Sequence, residues 1–301
     1  MINFNIDRLF EAVAAKGHVC IGLDTAADYV PPLERSKALN DAEAVLAFNK
    51  ALIDATFDVC ACYKVQIAYY EEMGLAGLKT YSETLKYIRG KGVPAIGDIK
   101  RGDIADTALR YAKAHFSGDF EADFVTLNPY MGMDSIEPWL KEAKNSGKGA
   151  FILMRTSNPG MRDFEYLELN RKNMTDNTRL YHAVGDKMTL LAKENSGKYG
   201  YGAFGVVVGC TEQEEAAQIR KNYPELFFLI PGYGAQGGAA KDAALLLHNG
   251  NGGVVNASRS IITAWQKADD RKHGTENNVF AAEAARCASI KMRDEILEVI
   301  K

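Results

Sequence analysis

Eight short, almost unbroken apolar runs recur along this chain, each followed by a stretch with helical spacing. They are VCIGLD (19–24), VCACYKVQ (59–66), VPAIGDIK (93–100), FVTLNPYM (124–131), AFILMRTS (150–157), AFGVVVGC (203–210), FFLIPGYG (227–234) and GVVNASRS (253–260). A strand with one wet face alternates apolar and polar residues, whereas a continuous apolar run suits a parallel strand covered on both faces. Eight alternating β and α units within roughly 250 residues predict an α/β fold, the (β/α)8 TIM barrel. An open doubly wound sheet is the rival, but it carries a Gly-rich turn after its first strand. Here that turn reads DTAADYVPP, which favours the barrel.

The remaining segments predict additions to one domain spanning 1–301. MINFNIDRLFEAVAAKG lacks the basic segment and apolar core of a signal peptide and reads as an amphipathic helix. A polar insertion, about residues 158 to 200, follows the fifth run; within it NTRLYHAVGDKMTLLAKE suits a helix and DFEYLELNRKNMTDN resists assignment. EAARCASIKMRDEILEVI gives a final helix for the barrel exterior, and TEQE (211–214) has the pattern of a capping box. Ile104, Ala108, Tyr111 and His115 share one helix face. A net charge of −3 gives no electrostatic reason to expect nucleic acid or an anionic membrane, and no run is long enough to span a bilayer. Five cysteines without a C-x-x-C pair predict buried free thiols and a cytoplasmic protein.

In a barrel, polar residues at the C-terminal strand ends are the candidates for chemistry. The runs end in Asp24, in Lys64 and Gln66, in Asp98 and Lys100, in Ser157, near Gln236, and in Arg259. Strand alternation points Asp98 and Lys100 the same way, and Lys64 joins them from the neighbouring strand. Such a Lys–Asp–Lys row favours the charged form of all three groups. A purely structural ion-pair network would be costly to desolvate and weakly stabilising, so the row argues for function. Asp103 suits the start of the next helix, with Thr107 one turn later on the same face. PGYGAQGG (231–238), containing Pro231 and Gly232, and ASRSI (257–261) follow the seventh and eighth runs, where barrels often bind phosphate. The Arg259 guanidinium suits a phosphate dianion. None of the five histidines has metal-ligand spacing, and no G-x-S-x-G elbow offers a serine nucleophile.

Together these residues resemble the orotidine 5′-phosphate decarboxylase family, in its longer bacterial branch. DIKRGDIADT (98–107) matches the pattern D-x-K-x-x-D-I-x-x-T, and GLD, YKVQ, RTSNPG, PGYGAQGG and ASRSI follow in the family's order. One departure from the short branch is Ser258 in place of a glycine before Arg259. The resemblance implies that Lys100 protonates C6 of the pyrimidine, that Asp98 sits against the substrate carboxylate, and that Lys64 holds Asp98 and contacts the ribose. It further implies that Asp24 binds ribose hydroxyls, Ser157 reads the pyrimidine edge, and Gln236 bridges base and phosphate. Pro231 and Gly232 belong to the phosphate loop, and Arg259 binds the phosphate itself. A homodimer is implied, with Asp103 and Thr107 serving the partner's site, and neither metal nor organic cofactor is implied.

The chemistry of the residues weighs against three alternatives. A magnesium-dependent sugar-phosphate enzyme needs acidic ligands where the second strand has Lys64 and Gln66. A Schiff-base aldolase needs a neutral lysine, which flanking carboxylates oppose. A non-catalytic phosphoribosyl-binding barrel needs Arg259 and Gln236 but not the charged row.

Overall fold

All eight apolar runs become strands, in order, of a closed parallel barrel. In the computed structural model, which describes residues 4–169, 179–234, 239–268 and 276–300, these are β1 Val19–Gly22, β2 Cys62–Gln66, β3 Ala95–Arg101, β4 Phe124–Leu127, β5 Gly149–Arg155, β6 Phe204–Val208, β7 Phe228–Ile230 and β8 Gly253–Ala257. Closure comes from β1 pairing with β8, Ile21 opposite Ala257. The strands are buried almost throughout, which is why their sequences are continuous rather than alternating. Large side chains fill the interior layers: the Phe124 and Phe151 rings lie 5.4 Å apart, and Phe151 lies 6.4 Å from Phe227.

The helix Asn5–Lys16 crosses the N-terminal end of the barrel. Asn5 donates to Asp123 Oδ1 at 3.1 Å just before β4, and Phe10 stacks on Tyr199 at 4.2 Å ahead of β6. At the other terminus, Asn278–Val299 packs against both Asp41–Thr56 and Ala240–Ala244. It therefore takes the eighth place in the outer ring, left open because the helix directly after β8, Arg259–Ile262, has only four residues.

Several local expectations need correction. TEQE forms no capping box: the helix starts at Gln213, and Glu212 at the N-cap makes no side-chain cap bond. Ile104 is 41% exposed, because the helix after β3 begins only at Ala105 and buries Ala108, Ala112, His115 and Phe116. Four thiols are buried, but Cys287 is exposed on the C-terminal helix. Burial pushes Cys60 up to about 12 and Cys210 up to about 11, so both stay protonated. The insertion after β5 contains the expected helix, trimmed to Leu180–Glu194. Part of DFEYLELNRKNMTDN, residues 170–177, lies outside the described residues. No described helix is long and apolar enough to cross a membrane.

Candidate active site

The C-terminal strand ends enclose a cleft of about 460 Å³, a size ordinary for a small-molecule site. At its centre is Asp98, 5% exposed, whose two oxygens accept four hydrogen bonds. Oδ1 takes Lys100 Nζ at 2.6 Å and Thr126 Oγ1 at 2.7 Å; Oδ2 takes Lys64 Nζ and Gln66 Nε2, both at 3.0 Å. Four donors saturate the lone pairs of a carboxylate. Lys64 is equally buried and also reaches Asp24 Oδ1 at 2.9 Å.

This geometry sets the charge states. Burial alone would push the Asp98 carboxyl up, but the Lys64 and Lys100 cations outweigh it and hold the carboxyl far below its ordinary value. Burial likewise favours a neutral Lys64, and the Asp24 and Asp98 carboxylates overcome it and raise its pKa. The expected Lys–Asp–Lys row is present, with Asp24 at one end. Three cations, Lys64, Lys100 and Arg259, face two carboxylates across the cleft, a balance that suits an anionic ligand.

Simple alternation does not explain how Lys100 gets there. Between Gly97 and Arg101 the register of β3 against β4 shifts, and Lys100 has a positive φ of 44°. Bulges of this kind re-aim side chains beside active sites, and a non-glycine residue in this region is strained. Thr126 holds the distortion: its hydroxyl oxygen accepts from the backbone N–H of Ile99 and of Lys100, both at 3.0 Å, while donating to Asp98. Thr126→Val, nearly isosteric, would leave two N–H groups and one carboxylate lone pair unmet. We expect it to destabilise the fold by about 2–4 kcal/mol and to lower kcat more than it raises KM, as read by urea unfolding and steady-state kinetics.

The opposite wall carries the remaining candidates. Ser157, Pro231, Gly232 and Arg259 all line the cleft, as do Asp24, Lys64, Asp98 and Lys100. Gly232 has φ 104°, which only glycine adopts freely. Its neighbour Tyr233 donates its hydroxyl to Glu295 Oε2 at 2.6 Å, tying this loop to the C-terminal helix. Gln236 lies outside the described residues. Asp103 and Thr107 do not line the cleft. Asp103 is half-buried ahead of the helix, its carboxylate accepting from the Ile104 N–H at 2.8 Å, and Thr107 is exposed. Arg101 and Asp106 make outer contacts, to Glu71 at 3.2 Å and Arg110 at 3.1 Å.

Cleft residues not foreseen are Thr126, Thr156, Tyr29, Tyr69 and Asn256. Thr126 is the lone polar residue of β4, and Asn256 the lone polar residue of β8; each interruption of an apolar run was a usable signal.

Residues 17–272 match the sequence profile of the Orotidine 5′-phosphate decarboxylase / HUMPS family. The chain is 54% identical to the orotidine 5′-phosphate decarboxylase of Clostridium perfringens over 98% of both chains. The chain belongs to the orotidine 5′-phosphate decarboxylase family. Clostridium acetobutylicum has an orotidine 5′-phosphate decarboxylase 53% identical to it, covering 98% of this chain and 99% of that one. Among solved structures, the OMP decarboxylase of Leishmania donovani superposes with a TM-score of 0.73 at 30% identity, covering 98% of each chain. The orotidine 5′-phosphate decarboxylase family match includes every barrel strand and leaves outside it both the helix Asn5–Lys16 and the helix Asn278–Val299.

Proposed function

We propose that the protein converts orotidine 5′-phosphate to uridine 5′-phosphate in pyrimidine biosynthesis, in the cytoplasm, with Lys100 as general acid and with no metal or organic cofactor. The observation that carries this reading is the Lys64–Asp98–Lys100 row, with Lys100 Nζ 2.6 Å from a buried carboxylate. The substrate carboxylate at C6 lies near Asp98. The C6–carboxylate bond breaks, CO₂ leaves, and the electron pair stays in an sp² orbital at C6 that the ring cannot delocalise. Lys100 Nζ stabilises that pair electrostatically, transfers one proton to C6, and regains a proton from solvent. Asp24 and Lys64 hold the ribose, Ser157 reads the base, and Gln236 contacts base and phosphate.

Binding energy from the phosphate contributes to orientation at the distant carbon. Pro231, Gly232 and Arg259 supply it in this reading. Arg259→Ala is therefore expected to lower kcat/KM by about 10- to 100-fold, as loss of a charge-assisted contact does, measured by initial rates across substrate concentration.

Asp103 and Thr107 act across a homodimer interface. Exposed Ile104, Tyr130 and Met131 on the loops after β3 and β4 support a covered face there. Mixing inactive Lys100→Ala and Asp103→Ala proteins should restore activity through hybrid dimers, each carrying one intact site. Verified subunit exchange without recovery would exclude action in trans. The whole reading is tested by the fall in ultraviolet absorbance on conversion of orotidine 5′-phosphate, with a chelator present. No turnover, or strict dependence on added magnesium, would overturn it.

A further inference from the structure

We propose that Glu165, in the opening turn of the insertion after β5, is a positioning residue that holds the Ser157 turn against the pyrimidine end of the cleft. The proposal rests on the base-reading role given to Ser157 above. Both oxygens of Glu165 engage the residue next to Ser157: the Thr156 N–H donates to Oε2 at 2.9 Å, and the Thr156 hydroxyl shares its proton between Oε1 at 2.8 Å and Asn158 Oδ1 at 2.7 Å. Such a two-point grip fixes position and orientation together, as one hydrogen bond does not.

The grip is useful only if Glu165 is itself immobile, and its backbone is held at both ends. Its N–H donates to the Met161 carbonyl at 2.8 Å, and its carbonyl accepts from the Tyr181 N–H at 3.1 Å. The surrounding insertion is fastened to the helix Gln213–Asn222. Arg162 pairs with Glu212 at 2.7 Å, and Tyr166 and Arg179 both meet Glu215. On the far side of the turn, Ser157 backs directly onto Gly209. A Cβ at Gly209 would stand 2.7 Å from Ser157 Cβ and 2.9 Å from its Cα. Beneath, the fully buried Arg155 bridges the carbonyls of Gly209 and Thr156. Ser157 is thus confined between the Gly209 wall and Thr156, which the Glu165 carboxylate holds. Burial raises the pKa of that carboxyl, with the Thr156 donors opposing the rise.

A positioning role predicts a loss confined to ligands that carry the base. Glu165→Ala should weaken uridine 5′-phosphate binding by about tenfold, as loss of hydrogen bonds to a charged group does, and leave ribose 5-phosphate within about twofold. Glu165→Gln, which retains one acceptor oxygen, should fall between wild type and Glu165→Ala, and it carries the same comparison if the alanine variant does not fold. In a Ser157→Ala background Glu165→Ala should add less than about twofold, because the two residues act through one contact. Equal weakening of both ligands, unchanged uridine 5′-phosphate binding, or additivity with Ser157→Ala would overturn the proposal. Wild-type protein that binds both ligands equally would instead overturn the base-reading role itself.

Discussion

Lys100→Ala should lower kcat/KM for orotidine 5′-phosphate by about four orders of magnitude, the combined scale of a lost general acid and a lost electrostatic stabiliser. No other described cation in the cleft can substitute. Lys64 is committed to Asp24 and Asp98, and Arg259 stands at the phosphate end in the proposed binding mode. The same substitution should cost little stability. The Lys100 side chain is 46% exposed, so solvent screens its pair with Asp98 and the loss should be about 1 kcal/mol or less. Asp98 keeps Lys64, Gln66 and Thr126 as donors. Steady-state rates and urea unfolding of one variant therefore separate the two effects. A loss of activity under about tenfold would remove Lys100 from the chemical step.

Lys64→Met should do the reverse in stability and also impair catalysis. Lys64 is buried between two carboxylates, and removing one partner of such a cluster leaves uncompensated charge, at about 3–5 kcal/mol. The pH dependence identifies the cause. Asp98 has a depressed pKa in the folded protein, so its contribution is complete above the ordinary carboxylate value of 3.8 and is lost as pH falls toward the folded value. Lys64 has a raised pKa, so its contribution is complete below 10.5 and is lost only as pH rises beyond that. The stability difference between wild type and Lys64→Met should thus be flat from about pH 5 to pH 9 and narrow in stronger acid. Urea unfolding at several pH values reads this directly. A difference that varies across the neutral range would mean that another group titrates with the row.

The barrel was legible because each strand is an apolar run long enough to cross the core and short enough to exclude a helix. Six of the eight runs contain their strands, β3 and β5 each overrun theirs by one residue, and ends are displaced by up to four residues. The charged row was legible for a related reason: charge at the end of an apolar run has few inexpensive places to go. Helix starts were less legible. TEQE and Asp103 carry the composition of caps, yet neither caps by side chain, since capping depends on backbone geometry at one residue and the loops here turn otherwise. Thr126 was missed because threonine is common in strands for reasons of shape. Its hydroxyl acquires its role only when β4 pairs with a bulged β3.

Local patterning therefore carried the architecture and the chemical identity of Asp24, Lys64, Asp98 and Lys100, because strand burial is a property of residues close together in the chain. Contacts between distant segments decided the rest. The bulge that turns Lys100 toward Asp98 is held by a hydroxyl 26 residues away, and Tyr233 in the loop after β7 is tied to Glu295, 62 residues on. The Ser157 turn lies between Glu165 of the insertion and Gly209 after β6. Each depends on two or three separate elements meeting within hydrogen-bond distance or in van der Waals contact. No periodicity encodes such a meeting; it exists only once the barrel has closed.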